Sequence, residues 1–421
     1  MINIDRLRAR MTEMAKIGAT PNGGVTRLAL SEEDKRARKL FVKWMEEVGL
    51  DTRVDDFGNI YGKLHGLERG LPVVMAGSHL DTVPKGGNFD GVLGVLGALE
   101  AVESLIEQGV KPLRSIELVS FTNEEGARFT PQMLGSGAVT GQFTKDYVYT
   151  REDNKGFLFK DELEAIDFKG EESNRPREVS AFIELHIEQG PMLEIEQKSV
   201  GIVEGIAGFS WMQVEVAGQS DHSGSTPMSM RNDSLVKAAA IIQKISLWAE
   251  NRDEQTVATV GNITTSPGII NAVPGETKFT IDFRHPNREE LYKGMEEIKQ
   301  LIKTEVEESS LSSTVKEIRT HQPVHFSNEI CTLMEGTCRS LSHPYKHLIS
   351  GAGHDAMYMQ HITNAGMLFV PSINGKSHCE EENTEWEDIE CGIVTLFHVL
   401  NKLANQPLGV ASNNLNNNIK Q

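Results

Sequence analysis

Apolar positions recur at helical spacing over residues 4–17 and 32–49, so both stretches read as amphipathic helices. Ser31 stands where the second helix needs an N-cap, and Asp34 follows three residues later as its capping partner. The pattern then changes. Leu71-Pro72-Val73-Val74-Met75-Ala76-Gly77-Ser78-His79 is a short apolar run closed by Gly-Ser-His, as expected of a buried parallel strand whose carboxyl end carries His79. Residues 91–109 predict a helix in which Gly94, Gly97 and Ala98 permit close packing. Ser115–Thr122 repeats the buried strand with Glu124 and Glu125 just past its end, and Phe182–Ile187 repeats it with His186. Strands alternating with helices predict an α/β fold with a doubly wound, mostly parallel sheet. In such sheets the chemistry gathers beyond the carboxyl ends of the strands.

Further along, Trp211–Val216 alternates apolar and polar residues, as a half-exposed strand does. A helix over 234–250 follows, then strands near 257–263 and 276–283, a helix over 288–307 and a strand near 313–320. This β-α-β-β-α-β order predicts a ferredoxin-like α+β domain at 210–325, inserted into a catalytic, metal-binding domain made of 1–209 and 326–406. The Asn-rich, polar stretch 407–421 is expected to be a flexible tail.

A chain of 421 residues is too long for one ordinary core, which fits two domains. The formal charge of −18 argues against nucleic-acid or anionic-membrane partners; otherwise it denotes a solvated surface. Met1-Ile2-Asn3-Ile4-Asp5 does not resemble a signal peptide, and no apolar run is long enough to span a bilayer. Four cysteines, none in a CxxC pair, make no disulfide framework, so the expected compartment is the reducing cytoplasm.

Five segments carry potential metal ligands beside a glycine turn or an apolar run: those around His79, Asp90, Glu124-Glu125, His186 and His378. Three imidazoles and several carboxylates are the donor set of a site for two divalent cations such as Zn, Mn, Co or Ni, and such a site hydrolyses bonds. His79 and Asp81, two apart at a strand end, suit a ligand and a carboxylate that accepts its ring N–H. Asp90, in a glycine-rich turn, has two oxygens and could bridge two ions. In the Glu124-Glu125 pair, one residue could ligate and the other hold the attacking water as general base; alternatively both are acids at a helix N-terminus. Taken singly, His186 in its apolar strand reads more readily as a satisfied core residue than as a ligand, and His378 more readily as an ordinary loop histidine. No Gly-rich Lys-Ser/Thr loop is present, which argues against phosphoryl transfer.

Taken together, Gly77–Thr82, Gly86–Gly91, Glu124–Phe129, Glu184-Leu185-His186-Ile187-Glu188-Gln189-Gly190 and Ser350–Ala356 resemble the M20 metallopeptidase clan, in its amidase/hydantoinase/carbamoylase branch. The similarity runs to about residue 406. Peptidase members of the clan usually place a carboxylate where His186 stands. The resemblance implies that His79, Asp90 and His186 hold one cation, that Glu125 and His378 complete a second site sharing Asp90, and that Glu124 is the general base. It implies hydrolysis of a linear ureide, an N-carbamoyl-L-amino acid or allantoate; an N-acyl-amino-acid deacylase or exopeptidase is the alternative. A non-catalytic metal-binding protein would need no free base such as Glu124.

The inserted domain would serve the substrate. His222 lies in a Gly/Pro loop, Asn271 in another, and Arg284 ends a strand. Arg284 and Asn271 are expected to grip a carboxylate and His222 to support an oxyanion; the plainer reading pairs Arg284 with Asp282. Gln189 and the turn holding Gly351 and His354 would contact the ureido end, unless His354 simply orders that turn. In relatives the inserted domain acts as a lid and dimerisation domain and reaches the neighbouring subunit's active site, which implies a homodimer.

Overall fold

The apolar runs that predict buried strands become the centre of one large sheet. The structure, a computed structural model, describes residues 2–307 and 309–406, so the expected tail at 407–421 lies outside the described residues. The chain forms two compact units, one from the segments up to Glu204 and from Phe326 onward, the other from Gly205–His325.

Strands β1 (Asp51–Val54), β2 (Ile60–Leu64), β3 (Val73–His79), β4 (Ile116–Phe121), β5 (Val179–Ile187) and β6 (Val200–Ile206) open the chain. The smaller unit then contributes β7 (Gly208–Ala217), β8 (Asp221–His222), β9 (Val257–Ser266), β10 (Ala272–Val273), β11 (Glu276–His285), β12 (Ser312–His321) and β13 (Val324–His325). The chain returns to the large sheet with β14 (Tyr345–Ser350) and β15 (Asn364–Val370).

In the larger unit the order runs β1-β2-β4-β3-β5-β15-β6, with β14 also on β6. The four central strands β4, β3, β5 and β15 are mutually parallel, and β1, β2 and β6 join antiparallel. The fold is therefore mixed α/β on a large sheet with a parallel centre. The β1–β2 pair has a simple origin: the two strands are joined by a short turn, and a short turn can only produce antiparallel neighbours. β3, β4 and β5 are apolar almost throughout because helices cover them; Val92–Glu107 packs on β3, β4 and β5, and Trp386–Asn405 on β3, β5 and β15. Helix Glu32–Val48 starts as its sequence predicts: the Ser31 hydroxyl accepts the Asp34 N–H at 3.2 Å, and the Asp34 carboxylate accepts the Leu30 N–H at 2.8 Å.

Parallel register does the positioning. Ala76 of β3 stands opposite Ile183 of β5, so His79 and His186, three residues on in each strand, come level at the carboxyl edge. Glu124 and Glu125 follow the end of β4, which pairs Phe121 with His79.

The smaller unit follows the β-α-β-β-α-β order, with the sheet arranged β12-β7-β11-β9 and antiparallel throughout. Met212, Val214, Phe279, Ile281 and Phe283 point to one face and form a core with Ile241, Ile245, Met295 and Ile298 of the helices Ser234–Glu250 and Arg288–Glu307. A two-stranded ribbon, β8 with β10, holds His222 opposite Ala272. Among the described residues no helix is long and apolar enough to cross a membrane.

Candidate metal centre

The His79 ring is oriented by its own chain. Its Nδ1 lies 2.9 Å from the Asp81 main-chain carbonyl, which can only accept, so Nδ1 carries the proton. Nε2 is left with its lone pair, 3.4 Å from Asp90 Oδ1 and 3.6 Å from Glu124 Oε2. His186 is built the same way: Nδ1 donates to the Ile187 carbonyl at 2.9 Å, and Nε2 lies 3.1 Å from Asp90 Oδ1. The other oxygen of Asp90 faces a different set. Oδ2 lies 3.4 Å from His378 Nε2, and that nitrogen lies 3.3 Å from Glu125 Oε2. Asp90 precedes Gly91, whose φ of +67° starts helix Val92–Glu107 and where a Cβ would overlap the His79 ring.

These residues make two groups of three donors, His79–Asp90–His186 and Asp90–Glu125–His378, each with its ligand atoms within 4.8 Å of one another. They share Asp90. Three protein donors leave coordination positions open, as catalytic rather than structural sites do, and the mixture of imidazole and carboxylate suits Zn, Mn, Co or Ni. Glu124 belongs to neither group.

The electrostatics suit the company of a positive charge. Burial pushes Glu124 well above the usual carboxylate range, and Asp355, Glu125 and Asp90 push it further against the pull of His79. Burial, then Asp90, pushes Glu125 up to about 8. Burial would raise Asp90 too, but His186, His378 and His79 outweigh it and hold it well below the normal range. His378 is raised to about 9 by its hydrogen bond to Asp90, against the effect of burial. Glu125 Oε1 and Gln189 Oε1 are buried without a hydrogen-bond partner among the described residues. Carboxylates crowded this closely are stable as anions only beside cations. The residues present therefore fit divalent ions.

Asp81 stands differently from expectation, and other candidate residues have partners within the fold. The Asp81 carboxylate does not accept from His79; its carbonyl does, while Oδ1 and Oδ2 accept the N–H groups of Glu124 and Glu125 at 3.2 and 3.3 Å. The tight strand end brings the main chain, not the side chain, under the ring. Gln189 donates from Nε2 to Asp90 Oδ2 at 2.7 Å, so it braces the shared carboxylate. His354 is buried, with its ring 4.5 Å from that of His186 and its Nε2 3.1 Å from the Ser350 hydroxyl. Burial, then His186, holds it well below the normal histidine range, and its ring packs against that of His186. Gly351 lies exposed in the same turn. Arg284 donates from Nε and Nη2 to Asp282 at 3.0 and 2.6 Å, the plainer of the two readings, because residues two apart on a strand share a face.

In the smaller unit His222 accepts the N–H groups of Gly224 and Ser225 on Nδ1 at 3.1 and 3.2 Å. That leaves Nε2 as the nitrogen that can donate, and the ring is exposed. Asn271 is exposed, and its main-chain carbonyl accepts the Ser223 N–H at 3.0 Å.

Two supporting acids escaped the sequence reading. Glu184, fully buried, accepts the Ser78 hydroxyl at 2.7 Å and the Ala356 N–H at 2.9 Å, tying together the residues before His79 and after His354. Its spacing two before His186 on a buried strand was the available signal. Glu382 accepts the N–H groups of Phe89 and Asp90; nothing in the local pattern marked it.

The family profile described as Peptidase family M20/M25/M40 matches residues 75–402. The N-carbamoyl-L-amino-acid amidohydrolase of Rhizobium meliloti is 37% identical over 399 residues, covering 95% of this chain and 96% of that protein. The allantoate amidohydrolase of Escherichia coli (strain K12) is 36% identical over 395 residues, covering 93% and 96%. A crystal structure of an amidase of the hydantoinase/carbamoylase family from Burkholderia multivorans superposes with a TM-score of 0.92 at 37% identity, over 97% of this chain and 99% of that one. With two three-donor groups assembled at the carboxyl edge of its sheet, the chain belongs to the M20/M25/M40 peptidase family, among its hydantoinase/carbamoylase amidases.

Proposed function

We propose that this protein is a metal-dependent amidohydrolase that cleaves a C–N bond of a linear ureide, an N-carbamoyl-L-amino acid or allantoate, with Glu124 as general base. It is a hydrolase of carbon–nitrogen bonds other than peptide bonds, as its named relatives are. The observation that carries the finer reading is the pair of three-donor groups sharing Asp90, with the uncommitted Glu124 carboxylate 3.6 Å from a ligand nitrogen. Relatives named for the two substrates are equally similar, at 37% and 36% identity, so both substrates stand.

Divalent ions held by His79, Asp90 and His186 and by Asp90, Glu125 and His378 would polarise the ureido carbonyl and make water acidic. Glu124 takes a proton from the attacking water and returns it to the leaving nitrogen. Its environment suits that exchange, because burial and neighbouring acids raise its proton affinity above that of an ordinary carboxylate. From a carbamoyl amino acid the products are the free amine and carbamate, which falls apart to ammonia and carbon dioxide. We assign oxyanion support to His222, through Nε2–H, and the substrate carboxylate to Asn271 and Arg284, in a homodimer. Arg284 would then carry its Asp282 partner into the bound state.

The test offers metal-reconstituted protein allantoate, N-carbamoyl-L-methionine, N-carbamoyl-β-alanine and a dipeptide, and measures ammonia and free amine. Ammonia from a ureide with the dipeptide untouched is the expected result. Dipeptide cleavage without ammonia release would overturn the reading.

A further inference from the structure

Glu382 lies four residues beyond His378, in an acidic run with Glu380 and Glu381 that reads as a solvated stretch. It is instead 3% exposed. Its Oε1 accepts the N–H groups of Phe89 and Asp90 at 3.0 and 3.1 Å, and its Oε2 accepts the Ser377 hydroxyl at 2.9 Å. Burying a carboxylate is costly unless donors surround it. Here three donors do, and the main chain makes room: a Cβ on Gly87 would overlap the Glu382 carboxylate. Ser377 Oγ also lies 3.1 Å from Asp90 Oδ2. Glu382 thus holds Asp90 through its main chain and through a hydroxyl that touches its side chain.

The two donor groups depend on this tie unequally. His79 and His186 are fixed through Nδ1 by main-chain carbonyls, each at 2.9 Å, at the ends of buried strands. His378 has φ of +55° and a side chain 51% exposed, and its contacts with Asp90, Glu125 and Gln189 are made through Nε2. Its ring is placed by the loop that carries it. That loop is joined to Asp90 through Ser377 and Glu382.

We propose that Glu382 is a positioning residue that registers the His378 loop against Asp90, and so sets the cation affinity of the Asp90–Glu125–His378 group while leaving the His79–Asp90–His186 group to the strand ends. This rests on reading both groups as cation sites. Partners behind metal ligands typically govern metal affinity by about 10–100-fold.

The experiment strips the full-length protein of metal and titrates it with Mn2+, counting unbound ion by electron paramagnetic resonance. Wild type is expected to bind two ions per chain. In E382A one ion keeps its affinity within about threefold, while the Kd of the other rises about 10–100-fold. E382Q, which keeps an oxygen for the two amides, falls between, and saturating Mn2+ restores turnover in both variants. Equal weakening of both ions, or a second Kd within threefold of wild type, overturns the proposal while leaving the metal reading intact. A wild type that binds no ion overturns both. If E382A does not fold, E382Q decides on the same criterion.

Discussion

Replacing Glu124 by Gln separates catalysis from metal binding. The substitution keeps the side chain's length and volume, and the Glu124 main-chain N–H to Asp81 is untouched. Glu124 is in neither donor group; its Oε2 lies 3.6 Å from His79 Nε2. An amide cannot take a proton from water, so the variant loses the general-base contribution, which is typically about 10²–10⁴-fold in rate. At about 1.36 kcal/mol per tenfold, this raises the barrier by about 2.7–5.4 kcal/mol. The assay measures kcat for ammonia release from the preferred ureide at saturating metal, with elemental analysis of the same sample. The expected result is two ions per chain with kcat reduced at least a hundredfold. A variant within fivefold of wild-type kcat removes Glu124 from the role of base. One that loses an ion at saturating metal makes Glu124 a ligand, and the division of labour drawn here fails.

Asp90→Ala takes the shared donor from both groups and leaves each with two, so metal content should fall from two ions to none after gel filtration; retention of either ion would mean Asp90 is not shared. Gly91→Ala forces a Cβ into the His79 ring at φ of +67°, where a side chain is strained by about 1–2 kcal/mol before any clash; the urea midpoint should drop, and an unchanged midpoint would refute the strain. The pH dependence should reverse with metal. In the chelated protein, the His378 pKa of about 9 means stability is fully present below its unfolded value of about 6.5 and is lost as pH rises through 9; Glu125, raised to about 8, acts in the same direction from about 4.5 upward. Binding needs those ligands deprotonated, so with metal present the stabilisation should grow as pH rises through the same window. Thermal melts from pH 6 to 9 with and without Mn2+ check both slopes, and His378→Gln should flatten the chelated one.

Much of the candidate site could be read from the chain because its candidate donors obey a local rule. His79 and His186 close apolar runs, Glu124 and Glu125 follow another, and Asp90 sits in a glycine turn. In a parallel sheet those ends share one edge whatever lies between them. The strands of the sheet margins were not legible: β1, β2 and β6 pair antiparallel, and short or partly exposed strands leave no long apolar run to find. The run Asn364–Val370 is the exception, a buried central strand that the sequence reading passed over.

What the sequence determined by itself was the alternation of elements and the kinds of donors at their ends, since hydrophobic period and residue chemistry are local properties. Tertiary structure decided the rest. It chose which Asp81 oxygen meets His79, bound Arg284 to Asp282 and packed His354 behind His186. It also buried Glu382 against the Asp90 turn. The last two depend on distances between segments up to about 290 residues apart, set by strand register and loop closure, and no local pattern carries that information; the first two join residues two apart, where the backbone at each strand end chose between readings the sequence already held.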